Sequence, residues 1–362
     1  MMRIAAGIAS VVLIYVVLWD AFETVVLPRR VARRVRLARL VLANLWTYWT
    51  VVTRRIRRRG RRETYLSYFG PLAVIVLLVT WASGLVLGFA GFQWALGSHL
   101  TAPEGAARFG TDVYMSGTTF FTLGLGDVVP RSTAARALVV VEAGLGFGFL
   151  AMVIAYLPVL YQAFSRREAR ISILDEWAGS PPAAGELIRR LGPDGHSSLL
   201  APFLQEWEQW AAELLETHIS YPALAFFRSQ HDNESWVSAL TTILDACALV
   251  IAVVEDAPAR AARLTFAMAR HAVVDLSFVL NTPPHAPEAD RLPPADLRRL
   301  LALLRESKVT VRDDQASLLQ LTDLRAMYEP YVNALSRRLL MDLPAWIAVP
   351  GARDNWQKTA WR

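Results

Sequence analysis

Residues 119–130 read Thr119-Phe120-Phe121-Thr122-Leu123-Gly124-Leu125-Gly126-Asp127-Val128-Val129-Pro130, with a long apolar segment on each side. Gly124 and Gly126 stand two apart, and glycine enters the left-handed half of backbone space at little cost. A chain that takes such angles at alternate residues can turn successive carbonyls the same way. A lone Gly-X-Gly is common in turns. Here it is joined to Thr122, Asp127 and Pro130, to a capped helix before it and to apolar spans in the order that a loop buried at membrane depth requires.

Working outward, Gly110-Thr111-Asp112 supplies a small polar cap and an early acid, which predicts a short helix over Val113–Phe121. Its C-terminal end carries partial negative charge and favours a cation beyond it. Three segments are apolar enough to cross a bilayer, which takes ~20 residues. They run from Ile4 to about Leu27, from about Tyr65 to Leu96 and from about Ala134 to Phe164. The first reads as a retained helix and not a signal peptide, because no small-residue cleavage site follows Asp20 and Arg-rich sequence comes next.

The chain has 362 residues, of which 54% are hydrophobic and 19% charged, and its formal net charge is +6. The charged share lies below the ~25% usual for soluble domains. Lys308 and Lys358 are the only lysines, and arginines concentrate between Arg29 and Arg62 beside apolar sequence. That placement points to anionic lipid at Arg29–Arg39 and Arg54–Arg62, and not to nucleic acid. Arginines also follow the third span, at Arg166, Arg167 and Arg170. Positive flanks lie on the cytoplasmic side, so three spans put the N-terminus and the Gly97–Phe109 loop outside. Residues 35–53, with Trp46, Tyr48 and Trp49, read as an amphipathic helix on the inner leaflet and not as a fourth span. Arg30, Arg33, Arg36 and Arg39 recur at every third position, as in a voltage sensor, but a solvated basic face is the plainer reading. Asp20 and Glu23 are expected to pair with nearby arginines. Cys247, the sole cysteine, sits in an apolar setting that suits a small core residue.

Thr122-Leu123-Gly124-Leu125-Gly126-Asp127 resembles the selectivity filter of the potassium-channel pore superfamily, whose common form is Thr-Val-Gly-Tyr-Gly-Asp. The resemblance is strongest from Tyr114 to Gln162. It implies potassium ions held by the carbonyls of Thr122, Leu123, Gly124 and Leu125, with the Thr122 hydroxyl at the inner end and no other cofactor. It implies that Gly126 supports the outermost turn and that Asp127 concentrates cations at the outer mouth. Ser116 and Thr119 match polar positions of the family's pore helix. Leu125 departs from the pattern by removing the tyrosine hydroxyl that would tie the filter to surrounding aromatics. Phe121 stands where a second threonine is common, and Tyr114 and Met115 where two aromatics are common. The Gly-Leu-Gly form is similar to the second pore of some two-pore-domain potassium channels. One filter per chain implies a homotetramer, since a ring of carbonyls needs four copies around an axis.

The third span resembles the inner helix of the same superfamily. Gly144, Gly146 and Gly148 suit either a gating hinge or close helix packing. Pro158 can kink the helix near its inner end, and Ile154, Pro158 and Tyr161 are candidates to face the pore. Glu142 is an intramembrane carboxylate, hence a functional candidate, or else a brace behind the filter through Thr118 or Thr119.

From Arg166 the chain changes character. Helical spacing predicts helices at about 166–178, 197–218, 221–230, 234–255, 258–281, 294–308 and 314–341, with Pro-rich breaks at 180–182, 283–287 and 293–294. No Gly-X-Gly-X-X-Gly follows a strand, and no catalytic constellation appears. Val237–Val254 reads as a buried helix because Asp245 lies in its middle. His218, His231 and His271, with Asp232 and Asp275, match no ligand spacing and suit surface or capping roles. Trp207, Trp210, Phe226, Phe227 and Trp236 suit a core or a subunit contact.

The chain thus reads as an all-α membrane protein of the bacterial inner membrane, a pore-loop tetrameric cation channel. An N-terminal transmembrane helix (1–28) precedes an Arg-rich linker with an interfacial helix (29–64), a pore domain (65–165) and an all-α cytoplasmic domain (166–362) that binds an unknown ligand or partner. A sodium-permeable channel of weak selectivity and a non-conducting membrane sensor or scaffold are the competing readings.

Overall fold

The computed structural model describes residues 1–27, 36–103, 105, 108–195, 199–231, 233–349, 351 and 353–357. It is an all-α membrane protein. Three described helical stretches are long and apolar enough to cross a bilayer: Met2–Val26, Arg59–Ala95 and Thr133–Ala178. The chain divides into two compact units, one of residues 1–57 and 68–161, the other of residues 58–67 and 162–362. Residues 58–67 therefore group with the C-terminal half, away from the linker and outer helix in which their sequence position puts them.

In the first unit, α1 (Met2–Ala21) widens into a π-turn at Phe22–Val26 and packs along α4 (Phe69–Ala95). Glycines allow the approach. A Cβ on Gly84 would lie 2.9 Å from Val17 Cγ2, one on Gly88 would lie 2.6 Å from Ile14 Cγ1, and one on Gly91 would overlap Ser10 Oγ. Without a hydrophobic drive inside lipid, such small-residue seams let helix backbones meet.

Asp20, buried at the end of α1, accepts from Trp81 Nε1 on α4 at 2.8 Å and from the Ala38 amide at 2.9 Å. Ala38 lies in the first turn of α2 (Leu37–Thr53), so Asp20 satisfies a free N–H at a helix start, where a negative charge is favoured. This corrects the expected arginine partner for Asp20 among the described residues. Glu23 does meet Arg36 Nε, at 3.7 Å, and also accepts from Trp19 Nε1 at 2.7 Å. Arg29, Arg30, Arg33 and Arg34 lie outside the described residues. Trp46 does not face outward: it is buried edge-on against Phe69, with ring centroids 4.6 Å apart, while Tyr48 is exposed.

The second unit contains α3 (Arg59–Ser67), joined to the bundle by Arg59–Asp342 at 2.6 Å and Glu63–Arg228 at 3.5 Å. The long helix α6 (Thr133–Ala178) is shared: residues 133–161 belong to the first unit and 162–178 to the second. The bundle continues with α7 (Ala184–Gly195), α8 (Leu200–Ser220), α9 (Trp236–Ala252), α10 (Ala259–Val279), α11 (Pro294–Glu306), α12 (Gln315–Ala326) and α13 (Glu329–Leu339). Every residue of α9 is buried. Asp245 in its middle is neutralised by Arg291 at 2.5 Å and accepts from the Tyr328 hydroxyl at 2.5 Å, which makes an internal aspartate tolerable in a core helix.

Three sequence expectations change here. A helix over 184–195 escapes the pattern reading. The predicted 314–341 helix breaks after Ala326, because Pro330 is placed in the first turn of a new helix. The predicted 221–230 helix shrinks to a 3₁₀ turn at Pro222–Phe226; the next residues turn extended, and the carbonyls of Leu224 and Phe227 accept from Arg167 at 3.0 and 2.8 Å instead. His218 also departs from its expected surface or capping role: it is buried, with Nε2 3.1 Å from Arg167 Nη1. His271 pairs with Asp275 at 3.2 Å, and Asp232 lies outside the described residues. Trp207, Trp210, Phe226, Phe227 and Trp236 are all buried.

Candidate pore and selectivity filter

The helix α5 runs from Phe109 to Phe120, so it starts four residues before the expected Val113–Phe121 helix and ends one residue sooner, and Thr111 Oγ1 accepts from the Arg108 amide at 3.2 Å. After Phe120 the chain leaves the helix. The amides of Phe121, Thr122 and Leu123 turn back to the carbonyls of Gly117, Thr119 and Thr118 at 3.0, 3.0 and 2.8 Å, and Gly124 N reaches Thr118 O at 3.3 Å. The end of α5 thus consumes the N–H groups of the following loop and leaves its carbonyls free. No carbonyl of residues 122–126 accepts a hydrogen bond among the described residues.

Backbone angles complete the arrangement. Positive φ falls at Thr122 (59°), Gly124 (55°) and Gly126 (79°), while Leu123 and Leu125 between them stay negative. In an ordinary strand successive carbonyls point to opposite sides. Alternating handedness cancels that alternation and brings them to one side. The glycines do this cheaply. Thr122, a β-branched residue, does so at a cost of about 1–2 kcal/mol, strain of the kind held at functional positions.

Three contacts fix this loop from behind and outside. Tyr114 on α5 donates to Asp127 Oδ2 at 2.8 Å. Ser116, fully buried, donates within reach of both the Val86 carbonyl (2.8 Å) and Glu142 Oε1 on α6. Glu142 therefore meets Ser116 and not Thr118 or Thr119; the Thr118 hydroxyl is spent on the Met115 carbonyl at 3.0 Å. Beyond the loop, β1 (Leu100–Thr101) pairs antiparallel with β2 (Val129–Pro130), and Ser98 Oγ donates to the buried Asp112 at 2.7 Å.

The inner helix approaches through a single glycine. A Cβ on Gly146 would overlap the Phe120 carbonyl and sit 2.9 Å from Phe120 Cα, whereas Gly144 and Gly148 face open space. Gly146 is thus required for close approach, and α6 runs unbroken through all three glycines and Pro158. Its buried side carries Ala135, Glu142, Gly146, Tyr156 and Leu160. Phe147, Ile154, Pro158 and Tyr161 lie on an uncovered side, so the three suggested pore-facing residues share one face. Residues 121–127 are likewise uncovered, with Leu123 and Leu125 62% and 64% exposed.

Residues 75–162 match the ion-channel family. The match covers the filter, the pore helix and most of both flanking spans, and it supports the resemblance to the potassium-channel pore superfamily and passive ion conduction. An uncharacterized membrane protein of Bacillus subtilis (strain 168), YdjJ, is 26% identical over 199 residues, which are 52% of this chain and 54% of that one. The chain spans about half the length of this curated relative. No solved structure matches it.

Sequence reasoning overlooked the Tyr114–Asp127 bond, which residue spacing alone does not reveal. It also overlooked the glycine seam between α1 and α4, although Gly84-x-x-x-Gly88 within an apolar span is a readable signal. Among the described residues, no group of three His, Cys, Asp or Glu side chains is placed to hold a metal ion.

Proposed function

We propose that the protein is a potassium-selective channel in which four copies meet around the loop 122–126. The observation that carries this reading is the alternation of φ at Thr122, Gly124 and Gly126, together with carbonyls at 122–126 that accept no hydrogen bond among the described residues. Four such strands supply the oxygen rings that replace an ion's hydration shell. Thr122, Leu123, Gly124 and Leu125 hold the ions, Gly126 shapes the outer turn and Asp127 attracts cations at the mouth. Ser116, Thr118, Thr119 and Glu142 support the filter from behind, and the uncovered apolar faces of α6 and the filter are where the other three copies pack. Bending of α6 about Gly144, Gly148 or Pro158 gates the pore under control of the C-terminal bundle.

The arginine flanks favour an external N-terminus, a cytoplasmic bundle and an inner-membrane location. Arg54, Arg55, Arg57 and Arg58 are exposed and suit anionic headgroups. Potassium flux into liposomes tests the assignment: wild type conducts, and Gly124→Asp and Gly126→Asp abolish flux. Unchanged flux in either variant rejects it.

A second reading, a sodium-permeable pore, is favoured by Leu125, which offers no hydroxyl to tie the filter outward. Reversal potentials in mixed potassium and sodium separate the two.

A further inference from the structure

Two helices of the first unit extend as stems into the second. One is the inner helix α6, whose residues 162–178 belong to the second unit. The other is α3, which also belongs there and runs on into the outer helix α4 through Tyr68, itself right-handed helical at φ −71° and ψ −22°. Both stems are fastened to the same short turn, Leu224–Arg228.

On the α6 side the fastening is Arg167, which is buried. It donates to the carbonyls of Leu224 and Phe227 at 3.0 and 2.8 Å and to Glu168 at 2.9 Å, and its Nη1 lies 3.1 Å from His218 Nε2. Phe164, one turn earlier on the same helix, packs its ring 5.6 Å from that of Phe227. On the α3 side the fastening is Arg228, whose amide shares a peptide group with the Phe227 carbonyl. Its Nη1 lies 3.5 Å from Glu63 Oε2, and its Nη2 donates to the Leu339 carbonyl at the end of α13 at 2.7 Å. The two side chains are 8% and 13% exposed, so water and salt screen this pair less than a surface pair. Glu63 also has Arg62 of its own helix at 3.7 Å. The turn is itself held firmly. Residues 223–227 are buried, the amides of Leu224 and Phe227 bond the carbonyls of Tyr221 and Leu224 at 2.9 and 3.0 Å, and Trp236 Nε1 of α9 donates to the Ala225 carbonyl at 3.1 Å. A second ion pair on α3, Arg59–Asp342 at 2.6 Å, bypasses the turn and is exposed, a setting in which such pairs contribute little.

We infer that the turn Leu224–Arg228 is a yoke: it ties the stems of the outer and inner helices to one peptide group, so that neither stem moves without the other. The path runs from Arg167 through the Phe227–Arg228 peptide to the Arg228–Glu63 ion pair, and Arg228 and Glu63 are its positioning residues. A movement that displaces the end of α6 must carry α3 with it or break that pair, so the yoke opposes opening of the stems. That this bears on conduction rests on the channel reading above; the coupling of the two stems does not.

Hydrogen exchange of the full-length protein reads this coupling. Glu63→Ala removes the ion pair and leaves α3 a good helix former at that position. Exchange of the amides of 162–170 is expected to rise by about fivefold, the lower end of coupling between distinct sites, while exchange across α10 stays as in wild type. Arg59→Ala removes the other ion pair of the same helix and leaves 162–170 unchanged. In the reverse direction, Arg167→Lys keeps the charge but not the planar fork that spans two carbonyls. Exchange of 59–67 then rises by a similar factor, because coupling is reciprocal. Exchange of 162–170 that is unchanged in Glu63→Ala, or raised equally by Arg59→Ala, overturns the yoke. Potassium flux adds the functional arm: Glu63→Ala flux rises by about the same factor, with the preference for potassium over sodium unchanged because the filter is untouched. Flux at or below the wild-type level, or a changed preference, in a Glu63→Ala protein whose exchange has risen overturns the opposition to opening. Absence of flux from wild type and variants alike counts against the channel reading alone.

Discussion

Tyr114 and Asp127, thirteen residues apart, are joined by a 2.8 Å hydrogen bond that runs from the pore helix to the residue just outside the filter. It ties the outer end of the loop to α5 from the pore-helix side, although Leu125 has no hydroxyl to do so from within the filter. Tyr114→Phe removes only the hydroxyl, worth about 1 kcal/mol, so the protein folds as before. The outer filter loosens, and the expected result is a reduced potassium preference over sodium, read from reversal potentials. An unaltered preference counts against this strut.

Ser116 and Glu142 meet inside the pore unit, and Glu142 Oε2 has no partner there. Ser116→Ala strips the carboxyl of its hydrogen bond. A buried polar group left unpaired costs about 1–3 kcal/mol, so the thermal midpoint of the purified protein drops. Glu142→Gln keeps a group able to bond Ser116 and drops less than Glu142→Ala.

Gly146 admits no Cβ, because the backbone of Phe120 occupies the space. Gly146→Ala must push α6 away from the pore helix and is expected to lose assembly and flux. A Cβ at Gly144 or Gly148 meets nothing within 4 Å, so Gly144→Ala and Gly148→Ala retain the assembled state, measured by size. Equal tolerance at all three positions contradicts the close approach.

His218 is buried beside Arg167, and burial, reinforced by the Arg167 charge, holds its pKa well below 6.5. The folded protein therefore keeps His218 neutral where the unfolded chain takes up a proton. Stability is present above pH 6.5 and is lost as pH falls below it, by about 1.4 kcal/mol per unit. Thermal melts at pH 7 and pH 5 check this: the loss is smaller in His218→Asn than in wild type.

Much of the architecture was legible because lipid demands long apolar runs and because few residues other than glycine take positive φ cheaply. Gly124 and Gly126 announce themselves for that reason. Thr122 does not, since a β-branched residue in that conformation is held there by its surroundings, here the amide turn back to Thr119. The partner of Asp20 was hidden because a free amide at the start of α2 leaves no mark in a sequence that offers many arginines. In the bundle, α7 was masked by its Gly192-Pro193 end and its short apolar set, Leu187, Ile188 and Leu191. The loss of helix after Phe226 follows from Arg167, almost sixty residues away, which takes the carbonyls that a helix would have used. Pro330 did carry a readable signal, as a helix start and not as an interruption.

The most direct measurement is a structure of the purified full-length assembly in potassium chloride. Four copies with residues 122–126 around a shared axis, and ion density between their carbonyls, is the expected result. Residues 122–126 held away from any common centre, with no ion between subunits, contradicts the account.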